Sequence, residues 1–130
     1  VNVESGACET LVGVGLFDFG DVDGVGDAVR LQHPLDVALL PSGDVVLTDT
    51  YNDVLKRLTL DTNAVETWDI EVPGPGFAEP RGLAQHGSQL YIADTNNHRI
   101  VIYGLDDEMS ELVDLQGLRA PLLRGVAEAP

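Results

Sequence analysis

The stretch Leu90-Tyr91-Ile92-Ala93-Asp94-Thr95-Asn96-Asn97-His98-Arg99-Ile100 decides the fold. The apolar run ending at Ala93 reads as a strand and Asp94 to Asn97 as a reversal built from side chains that bond their own backbone. The run from Arg99 to Gly104 reads as the returning strand. Forty-five positions earlier, Val46-Leu47-Thr48-Asp49-Thr50-Tyr51-Asn52-Asp53-Val54-Leu55 repeats the pattern, with Asp49 under Asp94 and Asn52 under Asn97. Upstream, Pro80-Arg81-Gly82-Leu83-Ala84 repeats Pro34-Leu35-Asp36-Val37-Ala38 at an offset of 46, one residue having been lost from the turn between. A fixed period of this length marks a repeat architecture.

Each repeat is expected to hold four short strands. In the first these are Asp36 to Leu40, Val45 to Asp49, Val54 to Leu60 and Ala64 to Ile70, with turns at Pro41-Ser42-Gly43-Asp44 and Asp61-Thr62-Asn63. In the second they are Gly82 to Gln85, Gln89 to Asp94, Arg99 to Gly104 and Glu111 to Leu115. Val, Leu, Ile, Tyr and Thr fill these runs, Gly, Pro, Asn and Asp separate them, and no ten-residue window keeps a helical period. Outward from the repeats, Val1 to Gly13 is expected to supply the last two strands of a preceding unit. Val14 to Pro34 reads as a connection too acidic and glycine-rich for the core, and 118–130 as the start of a following unit or a tail.

Four strands every 45 residues is the requirement of a β-propeller blade. Rings close with roughly four to eight blades, and even four blades need on the order of 160 residues, beyond the 130 present. The expected fold is therefore all-β, a partial ring of two to three blades of four antiparallel strands, divided as 1–33, 34–79, 80–117 and 118–130.

The quoted strings resemble the NHL repeat, whose pattern is a Pro-x-Gly opening followed by Tyr-Val-Ala-Asp-(Ser/Thr)-x-Asn-His-Arg-Ile. The second repeat is a near-complete match. The first departs from it, with Asp36 for the glycine, Asp53 for the histidine and Val54 for the arginine. Thr10-Leu11-Val12-Gly13, Asp23-Gly24-Val25-Gly26-Asp27-Ala28-Val29-Arg30-Leu31 and Pro34 resemble an inter-blade segment of the same family, so that the resemblance spans residues 8 to 116. The wording is similar to NHL propellers that carry a thioredoxin-like domain, which is absent from this chain. His98 and Arg99 are read as bridging to carbonyls or to a neighbouring blade's carboxylates, with presentation of charge to a ligand as the alternative.

Composition narrows the function. Twenty-two acidic against seven basic residues give a net charge of −15, which repels phosphate backbones and argues against a nucleic-acid partner. A hydrophobic share of 44% and a charged share of 22% fit a globular domain. The apolar runs are too short to span a bilayer, so no membrane partner is expected. A single cysteine, Cys8, leaves no internal disulfide and is compatible with a reducing, cytoplasmic setting. Cys8 is read as a small buried residue on a strand, and Phe17, Phe19, Trp68 and Phe77 as packing between blades.

Asp18, Asp21, Asp23 and Asp27 form an acidic run, but the calcium-loop spacing fails because Phe19 and Arg30 fall where carboxylates are needed. These aspartates are read as solvated or capping turns, and no metal or cofactor is expected. No nucleophile elbow, zinc-protease, phosphate-loop or dinucleotide signature is present, so no catalytic residue is nominated. In a propeller the turns between the second and third strands share one face with the inter-blade connections, and loops on a rigid scaffold gather recognition residues. The candidate binding residues are Leu35, Asp36, Tyr51, Asn52, Asp53, Arg81, Asn96, Asn97, His98 and Arg99.

The expected function is a non-catalytic protein-binding or scaffolding module acting through that face, a fragment of a larger protein. Its open blade edges are expected to drive homo-oligomerisation. The alternative is part of a propeller enzyme, a metal-assisted hydrolase or lyase, with Asp36 as one channel ligand.

Overall fold

The computed structural model describes residues 1–115. The segment 118–130, read above as the start of a further blade or a tail, lies outside the described residues.

The described chain is all-β and forms two antiparallel sheets. The first contains β1 (Gly24–Val25), β2 (Pro34–Leu39), β3 (Val45–Asp49), β4 (Val54–Thr59) and β5 (Ala64–Thr67), in the order β1-β5-β4-β3-β2. The second is a four-strand meander of β6 (Pro80–His86), β7 (Gln89–Asp94), β8 (Arg99–Gly104) and β9 (Ser110–Asp114). Both have the four-strand pattern of propeller blades, and the sequence boundaries are met within a few residues. The main shortening is in β5, which leaves the ladder after Thr67, although Ile70 beyond it is still buried.

The register explains the faces. Pairing Ala38 with Val46, Val46 with Arg57 and Leu58 with Val65 sends alternate residues to opposite sides of the first sheet. One side carries Ala38, Leu40, Val46 and Leu55, which pack with Leu90, Ile92, Val101 and Tyr103 of the second sheet. This inter-blade layer is the main core. Trp68 and Phe77 pack at its margin, Trp68 edge-on to Tyr103 at 5.5 Å between ring centres. Trimming Ile92, fully buried there, to Val removes one methylene and leaves a small void, at an expected cost of about 1 kcal/mol in urea unfolding.

The opposite side of the first sheet holds Leu58 and Val65 against Val29, with Val12 and Leu31 alongside. The connection was expected to stay outside the core, and here it departs from that reading. Gly24 and Val25 pair with Val65 and Ala64, so the connection adds a fifth strand to the outer edge, and Val29 is completely buried. The unpaired edge of β5 offers backbone donors and acceptors, and a short Gly-Val step satisfies them. Residues 1–13 form no strand. The segment turns locally through Asn2, whose carbonyl accepts the Gly6 N–H and whose side chain accepts the N–H groups of Glu4 and Ser5. Only Val12 near its end packs against the first sheet, and Cys8 is exposed. Phe17 and Phe19 are likewise exposed, at 88% and 64%, instead of packing between blades.

Candidate functional site

The same hydrogen-bond device builds both turns of the proposed binding face. Asp49 and Asp94 are fully buried at the ends of β3 and β7. One carboxylate oxygen of each accepts a backbone N–H from the preceding connection, Gln32 to Asp49 at 2.6 Å and Ala78 to Asp94 at 2.8 Å. The other accepts the side-chain amide of Asn52 or Asn97, at 2.7 and 2.9 Å. Those asparagines also donate to Gly20 O and Gly76 O, each at 2.7 Å. Each turn then closes in the left-handed conformation, at Asp53 (φ 59°) and His98 (φ 53°). Short polar side chains tolerate that region, which explains Asp and His where the chain would otherwise need Gly. Burial pushes the Asp49 carboxyl above its usual range against the lowering pull of Asn52, the Gln32 N–H and Lys56.

The two repeats differ in the cation that fastens the connection. Arg99, 7% exposed, donates to Asp94 at 2.7 Å, Pro73 O at 2.7 Å and Pro75 O at 2.5 Å. Val54 stands in its place in the first repeat. There Lys56, two residues further along β4 and fully buried, ion-pairs Asp21 and Asp23 and donates to Thr67 Oγ1 at 2.8 Å. Burial opposes the ammonium charge, but the two carboxylates outweigh it and hold Lys56 above its ordinary pKa. Burial also works against the Asp23 carboxylate, yet the bond from Lys56 and the Thr67 N–H carry it below the usual range. Asp23 therefore adds stability that is present above its unfolded value of about 4 and is lost as pH falls through the lower folded value. Lys56 adds stability that is present below about pH 10.4 and lost as pH rises through its higher folded value. Two of the four clustered aspartates thus serve as a structural lock for the fifth strand.

The ten nominated residues fall into two groups. Asn52, Asn97 and Arg99 turn inward to fasten the turns, and Asp36 is committed to the blade junction, its two oxygens accepting the N–H groups of Val37 and Leu83, each at 2.8 Å. Leu35, Tyr51, Asp53, Arg81, Asn96 and His98 are exposed. Among these, Asp53 reaches the second blade, accepting the Glu79 N–H at 2.7 Å, and Arg81 pairs with Glu79 at 2.9 Å. Tyr51 stacks on His33 with ring centres 4.3 Å apart. Both aromatics border a cleft of about 660 Å³ lined mainly by apolar residues of the 10–19 and 29–34 segments. On the opposite side of the blade junction, Arg57, Trp68 and Tyr103 line a smaller cleft of about 390 Å³.

The sequence reading did not single out Lys56, Thr48 or Thr50. A lysine between Leu55 and Leu58 was the available signal, since a cation on a strand buried on both faces needs a partner. Thr48 and Thr50 carried no signal of their own, because their acceptors lie 33 and 30 residues away.

Residues 77–103, which carry β6, β7 and most of β8, match the NHL repeat family. The chain is 41% identical to Protein SUPPRESSOR OF QUENCHING 1, chloroplastic, of Arabidopsis thaliana over 82% of its own length and 11% of that protein. It is 36% identical to NHL repeat-containing protein 2 of Homo sapiens over 88% of its length and 18% of that protein. The Bos taurus protein of the same name is 37% identical over 82% of the chain and 17% of the relative. The chain thus spans between about a tenth and a fifth of these relatives. No helix among the described residues is long and apolar enough to cross a membrane. With its repeated strand-turn-strand units, two blade-like sheets and the matched segment at 77–103, the chain is a member of the NHL-repeat family.

Proposed function

We propose that this chain is a non-catalytic propeller segment that binds or scaffolds other proteins through the rim formed by Leu35, Tyr51, Asp53, Arg81, Asn96 and His98. The observation that carries this reading is the separation of roles within the two turns. Buried Asp49 and Asp94 and their asparagines fix the backbone, while Tyr51, Asn96 and His98 stay exposed on that fixed frame. Rigid presentation of exposed aromatic and polar side chains lowers the ordering cost of association. Asp36, the residue nominated for a metal-assisted enzyme, has both oxygens engaged in backbone hydrogen bonds at the blade junction, which favours the binding reading.

The test is crosslinking capture with the wild-type chain, a rim variant (Tyr51→Ala with Arg81→Ala and Asn96→Ala) and an opposite-face variant (Ser42→Ala with Ser88→Ala). Proteins captured by wild type should be lost at least tenfold with the rim variant and retained with the other. Equal capture by all three, with the variants folded by circular dichroism, would reject the rim as the binding face. The open flanks, with Leu35, Val37 and Leu39 all more than half exposed on one face of β2, also favour self-association of the isolated chain.

A further inference from the structure

The junction between the two blades is held by four polar contacts, all running from first-blade side chains to the backbone at the start of the second. Asp36 accepts Leu83 N–H at 2.8 Å, Thr48 donates to Arg81 O at 2.9 Å, Thr50 donates to Pro80 O at 2.8 Å, and Asp53 accepts Glu79 N–H at 2.7 Å. The repeat carries each receiving atom back onto the first blade, at Val37 N–H, Leu35 O, Pro34 O and His33 N–H. The backbone there has the same shape. His33 and Glu79 both stand in the left-handed region immediately before a proline (φ 54° and 46°), and β2 and β6 break register at the same step, between Pro34 and Val37 and between Pro80 and Leu83. Among the described residues no side chain bonds His33 N–H, Pro34 O or Leu35 O, and Val37 N–H is held only by its neighbour Asp36.

The geometry points to this face of the first blade as the docking surface for an NHL-type blade that presents Asp, Thr, Thr and Asp at the four clamp positions. This face repeats the existing junction, in which the same backbone shape receives the same four groups. The apolar part of the surface, Leu35, Val37 and Leu39, supplies area without register, whereas directional contacts to four fixed backbone atoms set register and reject mismatched neighbours. A second copy of this chain meets only one of the four requirements. Its second blade carries Gly82, Ala93, Thr95 and His98 where the first carries Asp36, Thr48, Thr50 and Asp53. Copies therefore associate through apolar surface alone and weakly, and a blade with the full set binds in preference.

The second blade has room for the missing groups. A Cβ on Gly82 meets the Ala93 Cβ at 3.6 Å, an ordinary contact, and Asp36 and Thr48 lie side by side at the equivalent places, the Asp36 N–H donating to Thr48 Oγ1 at 3.1 Å. His98 already has the backbone conformation of Asp53. Installing Gly82→Asp, Ala93→Thr and His98→Asp together should convert the second blade into a matched neighbour for the first blade of another copy, a head-to-tail contact. Sedimentation equilibrium should show the self-association Kd falling at least tenfold relative to wild type. Adding Thr95→Ala to that variant should return part of the gain. An unchanged Kd in a folded variant, or wild-type copies that already associate as tightly, would overturn the proposal and leave apolar contact between copies as the whole of the interaction. Should the triple variant lose its circular dichroism signature, the single His98→Asp variant decides: a lower Kd supports the clamp, and an unchanged one overturns it.

Discussion

Asp94→Ala is expected to destabilise the chain by about 3–5 kcal/mol, the size that follows removal of one partner from a buried ion pair. The carboxylate is completely buried and takes three donors, from Arg99, Asn97 and the Ala78 backbone. Alanine leaves a nearly buried guanidinium with only its two carbonyl contacts, and an orphaned amide and N–H beside it. With a urea m-value of about 2 kcal/mol/M for a domain of this size, the midpoint should fall by about 2 M. Asp49→Ala is expected to cost less, about 1.5–3 kcal/mol, because its blade has Val54 in place of the arginine and only neutral donors are orphaned. A smaller loss for Asp94→Ala than for Asp49→Ala would show that the arginine is not what makes the second turn rigid. Because the main core is shared between the blades, both variants should still unfold in a single transition.

The double variant Asp21→Asn with Asp23→Asn is expected to cost about 3–5 kcal/mol at pH 6, since it leaves the Lys56 ammonium fully buried with Thr67 Oγ1 and two amides around it. Its pH dependence reverses that of the native lock. Without the carboxylates, burial lowers the folded pKa of Lys56 below its unfolded value, so stability rises with pH between the two instead of being lost at high pH. Lys56→Met should stay within about 1 kcal/mol of wild type. Methionine fills a similar volume without a charge to desolvate, and the two aspartates, 52% and 43% exposed at their side chains, hydrate when released. Hydrogen exchange at Thr67, whose N–H is held by Asp23, should quicken in the double variant. A double variant as stable as wild type across pH 5 to 10 would show that the lock contributes nothing.

The candidate site was legible in unequal parts. The asparagines of the turns and Arg99 were nominated as contact residues because they stand in the reversal, and the reversal is where they are; three of them point inward because a buried carboxylate waits beneath. That carboxylate was visible as the repeated Asp49 and Asp94, but its partners Gln32 and Ala78 belong to connections whose path no periodic pattern records. Asp36 reads in sequence as the loss of a glycine. In the structure it is the residue that reaches Leu83, 47 positions on.

Strand identity, blade period and the reversal at each Asp-Thr-x-Asn followed from the order of residues alone, because alternation and turn chemistry act over a few neighbouring positions. The tertiary structure alone decided that Gly24 and Val25 join a sheet edge, that Val29 is buried while Phe17 and Phe19 are not, and that Lys56 finds Asp21 and Asp23. Each of these outcomes depends on which distant surface comes to lie against the residue. A side chain's own chemistry sets what it gains from a neighbour, but the packed fold determines which neighbour it has.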